Sequence, residues 1–336
     1  MGTPQFRRHD WSAFKLTLPW LAGVLILVVA PLIATTVLSF VHWDGIDTNG
    51  ATWVGGQNYQ ELATIDPSVP NKQEHPWHWS LLGGRPRDAL FVRSMINSLT
   101  FAIFATPLNM SVALLLALLV NAPLRGMSIF RAFAYLPHVL GGVATILIWS
   151  WIFNPTFGPI NVALKTAYEM IDPLVRTFGG GGTSNWPVPG WLASEAWCKP
   201  AVICIHAWTA GGSVFIFLAA LQGTDPDAHV AALLDGASRR QRFLSITLPQ
   251  LTPAIFFNLV TGFVASMQSF NYSYLLYNRA QNDGLLFVVL QIYRSAFEPP
   301  YRLGYASAMA CILFVTLFVF TAITAITSRK WVHYES

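Results

Sequence analysis

The residues that could support catalysis or metal binding are few in this sequence and poorly placed for either role. His75 and His78 are spaced as two zinc ligands can be, but Pro76 intervenes and no Cys or carboxylate partners accompany them. The glycines from Gly179 to Gly182 are not followed by the Lys-Ser or Lys-Thr pair of a phosphate-binding loop. We therefore predict a polar loop and a flexible turn at these places, with no metal site and no covalent chemistry.

Amide and aromatic side chains within apolar stretches favour a different chemistry, the reversible binding of a polar solute. Amides hydrogen bond to hydroxyl groups and aromatic rings pack on C–H faces, a combination that suits a neutral sugar. The same polar groups could instead join one membrane helix to another. The main candidates lie near the end of one charge-free stretch, where positions 268, 271, 272 and 275 follow helical spacing on one face, and two more lie beside Gly211 and Gly212 in another. They are Gln268, Asn271, Tyr272 and Tyr274, with Trp208 and Thr209 as the second set.

The elements that must position these side chains are membrane helices. Of the 336 residues, 54% are hydrophobic and only 11% are charged, whereas soluble domains carry roughly a quarter charged residues. About 20 apolar residues cross a bilayer as a helix. This composition excludes secreted enzymes, nucleic-acid readers and soluble binding domains, and it predicts an all-α integral membrane protein. Six stretches contain no Asp, Glu, Lys or Arg: 16–43, 94–124, 132–164, 200–224, 243–278 and 303–328.

These stretches predict a single transmembrane domain, residues 16–328, between a cytoplasmic N-terminus (1–15) and a cytoplasmic C-terminus (329–336). The first stretch lacks a small-residue cleavage site and is predicted to be an uncleaved helix. Segments 43–93 and 155–199 are predicted to be extracytoplasmic, and the loop 223–250 cytoplasmic. The predicted spans are about 16–42, 96–121, 132–154, 200–222, 252–277 and 303–328.

The distribution of basic residues predicts the orientation. Ten of the twenty Lys and Arg residues lie close to the helix ends on the side of the two termini. The other ten are spread through three long segments that also hold eleven of the sixteen acidic residues. Because orientation follows the Lys and Arg residues of short loops, both termini are predicted to be cytoplasmic.

The loop between the fourth and fifth stretches predicts two short helices joined by a tight turn. Thr224 or Asp225 can cap the first helix, and Gly236 can adopt the left-handed conformation that ends it. Ser238 and Gln241 have the spacing of a capping box at the start of the second helix. The pattern fits either an amphipathic loop that packs on its own bundle or a docking surface for a cytoplasmic partner.

The same loop resembles the cytoplasmic signature of binding-protein-dependent ABC importer permeases. The resemblance rests on AALLDGA (231–237), QRF (241–243) and ITLP (246–249). Further motifs resemble the carbohydrate-uptake branch of the family, the maltose and glycerol-phosphate type, and in particular the first of its two permease subunits. These motifs are WVGGQNY (53–59), FR (130–131), YLP (135–137), WIFNPTFG (151–158), Asn161, LQG (221–223), IYRSAF (292–297) and LGYASA (303–308).

This resemblance implies a type I ABC importer permease with six transmembrane helices and a coupling helix between the fourth and fifth. The implied partners are a second homologous permease, two copies of an ATPase, an extracytoplasmic solute-binding protein and membrane lipid, with no nucleic acid. No cofactor is expected in this chain, because ATP and Mg would bind to the ATPase. The implied location is the cytoplasmic (inner) membrane of a bacterium or archaeon. The implied coupling residues are Val230, Ala231, Ala232, Leu233, Asp235, Gly236, Ala237 and Ser238.

One position departs from the family pattern. The family usually has Glu at the position that Val230 occupies here, so the ion pair that this Glu makes with the ATPase is not available from this chain. The alternatives to an importer subunit are a stand-alone carrier or channel and a membrane-embedded enzyme. The enzyme would need a catalytic constellation at one interface, and none stands out. The sequence does not identify the transported sugar.

Overall fold

Helices dominate the computed structural model of the chain, as the composition predicts. The structure describes residues 6–47, 50–66, 85–86, 89–122, 126–178, 182–183, 186–280 and 283–333. His75, His78 and Gly179 to Gly181 lie outside these ranges, so the two predictions about them stay predictions. The expected all-α class is confirmed, with strands in the described part limited to two short antiparallel pairs.

The helices in chain order are α1 (Phe6–Val24), α2 (Ala30–Leu38), α3 (Gln57–Ala63), α4 (Ala89–Val120), α5 (Met127–Val139), α6 (Gly142–Ile152), α7 (Pro159–Thr177), α8 (Glu195–Trp208), α9 (Gly211–Gln222), α10 (Pro226–Leu234), α11 (Arg239–Arg242), α12 (Leu248–Gln250), α13 (Thr252–Met267), α14 (Asn271–Ala280), α15 (Val288–Phe297) and α16 (Leu303–Ser328). Turns of π-helix join α1 to α2 (Leu25–Val29) and α11 to α12 (Phe243–Thr247), and a 3₁₀ turn covers Asp283–Leu285. Strand β1 (Val41–His42) pairs with β2 (Thr52–Trp53), and β3 (Ile65–Asp66) with β4 (Arg85–Pro86).

Four helical segments of the described chain are long and apolar enough to cross a membrane, and two bent helix pairs raise the number to six. The four are Lys15–Leu38, Ala89–Val120, Thr252–Tyr277 and Leu303–Ser328. The bent pairs are Ile129–Val139 with Gly142–Ile152, and Glu195–Trp208 with Gly211–Gln222. Several boundaries differ from the predicted spans by two to seven residues. The first helix ends at Leu38, because residues 41 and 42 pair as a strand; the second begins at Ala89, and the fourth span begins at Glu195.

The sharpest bend separates α5 from α6 by 95°. Gly141 at the break has φ 71° and ψ 147°, which an L-residue with a side chain rarely adopts, and Pro137 removes a helical hydrogen bond one turn earlier. The pair α8 and α9 is bent by a milder 46°. Pro137, Gly141 and Gly142 are residues that weaken a helix, so the sequence itself predicts a bend in the third span where the structure has one.

Backbone contacts divide the chain into two compact units, Met1–Phe91 with Ile292–Val315, and Val92–Gln291 with Thr316–Ser336. In the first unit, the WVGGQNY motif secures the end of the first helix. The Asn58 amide donates to the carbonyl oxygens of Ser39 (2.8 Å) and Val41 (3.2 Å), and the Tyr59 hydroxyl donates to Ser39 Oγ (2.7 Å). Trp53 stacks on Phe40 at 5.8 Å. The motif is therefore a structural clamp within its own unit.

The start of α16 packs on strand β1. The Gly304 N–H donates to the Trp43 carbonyl at 3.0 Å, and a Cβ at position 304 would lie 1.9 Å from the Val41 carbonyl oxygen. Arg302 forms an ion pair with Glu61 at 2.6 Å and lies over the Tyr305 ring. Only glycine allows this close approach of helix to strand.

The core of the second unit is built on small residues, as helix packing in membranes favours. Ala113 and Ala117 of α4 are fully buried against Val214 and Phe217 of α9. At another crossing, a Cβ at Gly262 would lie 3.1 Å from Thr106 Cγ2, and Thr106 and Ser266 share a hydrogen bond of 3.2 Å. Close contact between these helices fixes the positions of the spans that carry the candidate residues.

Candidate functional site

The loop between α9 and α13 forms the predicted pair of short helices. Asp225 caps α10, since its carboxylate accepts a hydrogen bond from the Asp227 N–H at 2.9 Å, and Pro226 occupies the first turn. Both features fit the start of a helix, where backbone N–H groups lack partners. Of the two capping residues that the sequence allows, the structure uses Asp225.

The turn after α10 has the geometry of a Schellman motif. The Gly236 N–H donates to the Leu233 carbonyl (3.1 Å), and the Ala237 N–H donates to the Ala232 carbonyl (2.9 Å). Gly236 has φ 78°, in the left-handed region, and a Cβ there would meet nothing within 4 Å. The constraint at this position is thus conformational rather than steric, as predicted.

The second limb begins with the predicted capping box. The Gln241 N–H donates to Ser238 Oγ (3.3 Å), and the Ser238 N–H donates to Gln241 Oε1 (2.8 Å). This limb continues through the π-helical turn 243–247 and α12 into α13. Two hydrogen bonds tie the limbs together: the Asp225 N–H donates to Gln250 Oε1 (3.3 Å), and His229 Nε2 and Thr247 Oγ1 lie 3.5 Å apart. These bonds join α10 to the segment that continues into the fifth span.

The residues predicted for coupling lie together on this knuckle, the segment 225–250. Val230 and Leu233 are 55% and 56% exposed, and the neighbouring Leu234 is 84% exposed. Ala232 and Ala237 are half-buried, and the other predicted coupling residues are exposed: Ala231, Asp235, Gly236 and Ser238. The short, capped helix α10 thus exposes several apolar side chains.

The solute-contact candidates are brought together only in part. The side chains of Tyr272 of α14 and Thr209, at the end of α8, lie close to each other. The Tyr272 ring packs edge-on against Phe101 at 6.1 Å and against the His206 ring at 6.2 Å. The structure thus joins one member of each predicted set.

Asn271 and Trp208 lie near the third span. A Cβ at Gly142 would come within 3.2 Å of Asn271 Nδ2, so this glycine leaves room for the amide. Trp208 is partly exposed and packs edge-on against Trp149 of α6 at 5.7 Å. The third, fourth and fifth spans therefore each supply a residue to this polar and aromatic region.

A break in the helix separates Gln268 from the other candidates of the fifth span. Helix α13 ends at Met267 and α14 begins at Asn271, so residues 268–270 interrupt the helix. The expectation of one continuous helical face over 268, 271, 272 and 275 is wrong for that reason. Gln268 is exposed at the end of α13, and Tyr274 stacks on Phe270 at 5.1 Å.

The sequence analysis missed Asn109 of α4 as a neighbour of this region. Its amide donates to the His206 carbonyl at 2.9 Å, and its side-chain oxygen accepts from Ser213 Oγ at 3.4 Å. The signal available was an amide in the middle of a long charge-free stretch, since a buried polar group in a membrane needs a partner or a water-filled cavity. Its partners come from distant parts of the chain and cannot be found from local spacing.

His138 and His206 act as packing residues. A Cβ at Gly211 would lie 2.8 Å from His138 Cβ, and one at Gly212 would lie 3.0 Å from the His138 ring. The His206 ring packs edge-on against Phe101 at 5.5 Å. Within the described ranges, no group of three or more His, Cys, Asp or Glu side chains is placed to hold a metal ion.

The structure combines apolar helices that could span a membrane with a capped pair of short helices, and comparison with known proteins gives the family. Residues 89–333 match the model of the family described as binding-protein-dependent transport system inner membrane component. The chain belongs to this family. It is a membrane component of a transporter, as the signature loop implies, and not an enzyme.

Individual relatives agree with this assignment. The chain is 31% identical to the probable ABC transporter permease protein YesP of Bacillus subtilis, over 98% of this chain and 94% of that protein. It is 24% identical to the multiple sugar-binding transport system permease protein MsmF of Streptococcus mutans, over 96% of both. The crystal structure of a bacterial ABC transporter involved in the import of the acidic polysaccharide alginate matches over 96% of both chains, with 21% identity and a TM-score of 0.70. The structure of a bacterial alginate ABC transporter in complex with an alginate pentasaccharide-bound periplasmic protein matches with a TM-score of 0.68. At this identity the structural match establishes the fold.

Proposed function

We propose that this chain is the first of two permease subunits of an ATP-driven importer that moves a sugar or a sugar-like solute into the cell. The observation that carries the proposal is the knuckle, an apolar helix with an exposed surface whose second limb runs into the fifth span. Family membership and relatives named for sugar transport support the class of solute.

In this proposal the chain supplies half of the translocation path and none of the ATP chemistry. ATP and Mg bind to two copies of a separate ATPase, and a solute-binding protein delivers the sugar from outside. Closure of the ATPase moves α10, and the two subunits rock to expose the path to each side in turn. Both termini and the knuckle face the cytoplasm, in the inner membrane, because basic residues are concentrated at those helix ends.

The docking of the ATPase on α10 is proposed to be apolar. Val230 replaces the acidic residue usual in the family, and the exposed residues beside it are Ala231, Leu233 and Leu234. Exposed ion pairs are screened over about 10 Å at 0.1 M salt, whereas apolar contacts are not weakened by salt in this way. Raising the salt concentration should therefore leave the ATPase bound to this subunit.

Val230→Asp is expected to weaken retention of the ATPase on the detergent-purified permease. An unpaired polar group at an apolar contact costs about 1–3 kcal/mol, which is a loss of affinity of roughly tenfold or more. Asp227→Asn, one turn earlier on the same helix, is the matched control and should have a small effect. Retention is measured as the salt concentration rises. Loss of the ATPase with Asp227→Asn but not with Val230→Asp would show that docking is electrostatic.

The solute path is proposed to pass the region lined by Tyr272, Thr209, Asn271 and Trp208. Tyr272→Phe removes the hydroxyl group that lies near Thr209, and a hydrogen bond from such a hydroxyl group to the solute contributes about 0.5–1.5 kcal/mol. We expect the KM for solute uptake to rise a few-fold or more with little change in the maximal rate. Tyr274→Phe, on the same helix but stacked on Phe270, should leave KM unchanged. Equal effects of the two substitutions would place the path elsewhere.

A further inference from the structure

Helix α7, between the third and fourth spans, carries an exposed apolar stripe. Six positions that fall on one helical face are all apolar and all exposed, from Ala163 at one end to Phe178 at the other. Met170 is 75% exposed, Leu174 60% and Phe178 83%. The stripe is Ala163, Ala167, Met170, Ile171, Leu174 and Phe178.

The other faces of α7 differ from the stripe in character. Leu164, Tyr168 and Val175 are half-buried and form the side that packs on the protein. Lys165 and Glu169 lie on the side away from the stripe and are exposed. A helix with one apolar and one charged exposed side is amphipathic in the sense required at a membrane surface.

The start of α7 is fixed at the end of the third span. Asn161 is almost completely buried; its amide donates to the carbonyl oxygens of Pro155 (3.2 Å) and Pro189 (3.3 Å), and its side-chain oxygen accepts from Trp191 Nε1 at 2.7 Å. The Trp191 ring packs on Phe153, the residue that follows α6, at 5.6 Å. Only residues 153–158 separate α6 from α7, so the helix begins close to the end of the third span.

The end of α7 is also tied down. Asp172 accepts hydrogen bonds from the Thr183 N–H (2.5 Å) and the Thr183 hydroxyl (2.9 Å), and it pairs with Arg176 at 2.6 Å. The hydrogen bonds from Thr183 lower the pKa of the Asp172 carboxyl, so this tie is ionised and intact at neutral pH. Asp172 and Arg176 therefore interact with each other and with Thr183 of the same chain. The side chains of the apolar stripe remain exposed.

We propose that α7 lies along the membrane–water interface and that its apolar stripe is inserted among the lipids of the leaflet at that surface. Two aromatic side chains near the junction of the third span and α7, Trp151 and Phe157, are also exposed. Aromatic residues favour this interfacial level. Lys165 and Glu169, on the opposite side, carry charges of both signs. This mixture favours contact with water and lipid headgroups over contact with a partner of one charge. The proposal is independent of the solute and of the knuckle, and the proposed orientation places this surface outside.

The test is the environment of spin labels on the two sides of α7. The complete transporter, in nanodiscs of phosphatidylethanolamine and phosphatidylglycerol, carries one label at Leu174→Cys or, as the matched control, at Lys165→Cys. Cys198, Cys204 and Cys311 are replaced by Ala in both. Phe178→Cys reports on the same stripe if Leu174→Cys does not fold.

Power saturation with oxygen and with a water-soluble nickel complex distinguishes the possible occupants. We expect the label at 174 to be reached by oxygen and shielded from nickel, and the label at 165 to show the reverse, with or without the solute-binding protein. Nickel access at 174 would place the stripe in water. Shielding from both reagents at 174, or shielding that appears only when the binding protein is added, would make the stripe a protein contact. Either result overturns the proposal and leaves the importer assignment untouched.

Discussion

Replacing Gly236 by valine is expected to abolish solute uptake and the stimulation of ATP hydrolysis by the loaded binding protein. Gly236 has φ 78° and two hydrogen bonds of the turn depend on the conformation around it. The left-handed conformation costs a residue with a side chain about 1–2 kcal/mol, and a β-branched residue is the least tolerant of it. Because α10 and the fifth span are joined through this turn, the docking helix would be misplaced while the chain still inserts in the membrane.

Two further substitutions show whether the backbone conformation is the cause. Gly236→Asn should restore much of the activity, since asparagine adopts the left-handed conformation more readily than other residues with a side chain. Gly223→Ala, at a helix end with φ −86°, should be close to normal. Uptake and ATP hydrolysis are measured on the reconstituted transporter. Coupled transport by Gly236→Val would show that this turn does not transmit the motion of the ATPase.

Gly304→Ala is expected to have the largest effect on folding. The added Cβ would lie 1.9 Å from the Val41 carbonyl oxygen and 3.0 Å from the Val41 carbonyl carbon, and both are backbone atoms that cannot rotate away. Either the hydrogen bond from Gly304 to Trp43 or the β1–β2 pairing must be lost. Overpacking of this kind costs about 1–3 kcal/mol or more.

The measurements are the amount of protein inserted in the membrane and its melting temperature in detergent, both of which should fall. Gly23→Ala is the matched control, since a Cβ there meets nothing within 4 Å and position 23 is helical. Equal stability of the two variants would contradict the close packing of α16 on the β1 strand.

Features set by local chemistry were accessible from the sequence. Charge-free stretches predict the membrane helices because a bilayer admits little else. The left-handed Gly236 and the Ser238–Gln241 box follow from the preferences of residues close together in the chain. The bend at Gly141 is predicted for the same reason, since glycine and proline mark where a helix is weak.

Features that depend on contacts between residues far apart in the chain could not be predicted from the sequence. Neither glycine nor proline marks the interruption at residues 268–270, and so helical spacing misplaced Gln268 relative to Tyr272. Asn58 secures the first helix through carbonyls 17 and 19 residues away. The ring contact between Tyr272 and His206 and the hydrogen bonds of Asn109 join different spans. Only the fold shows these partners.

The most direct test of the importer assignment is transport by the purified system in proteoliposomes. This chain, a homologous permease, the ATPase and the solute-binding protein are reconstituted together, and uptake of a radiolabelled sugar is followed with ATP or a non-hydrolysable analogue inside. We predict uptake only when all four proteins and hydrolysable ATP are present. Uptake by this chain alone, without ATP, would contradict the assignment and identify a stand-alone carrier or channel.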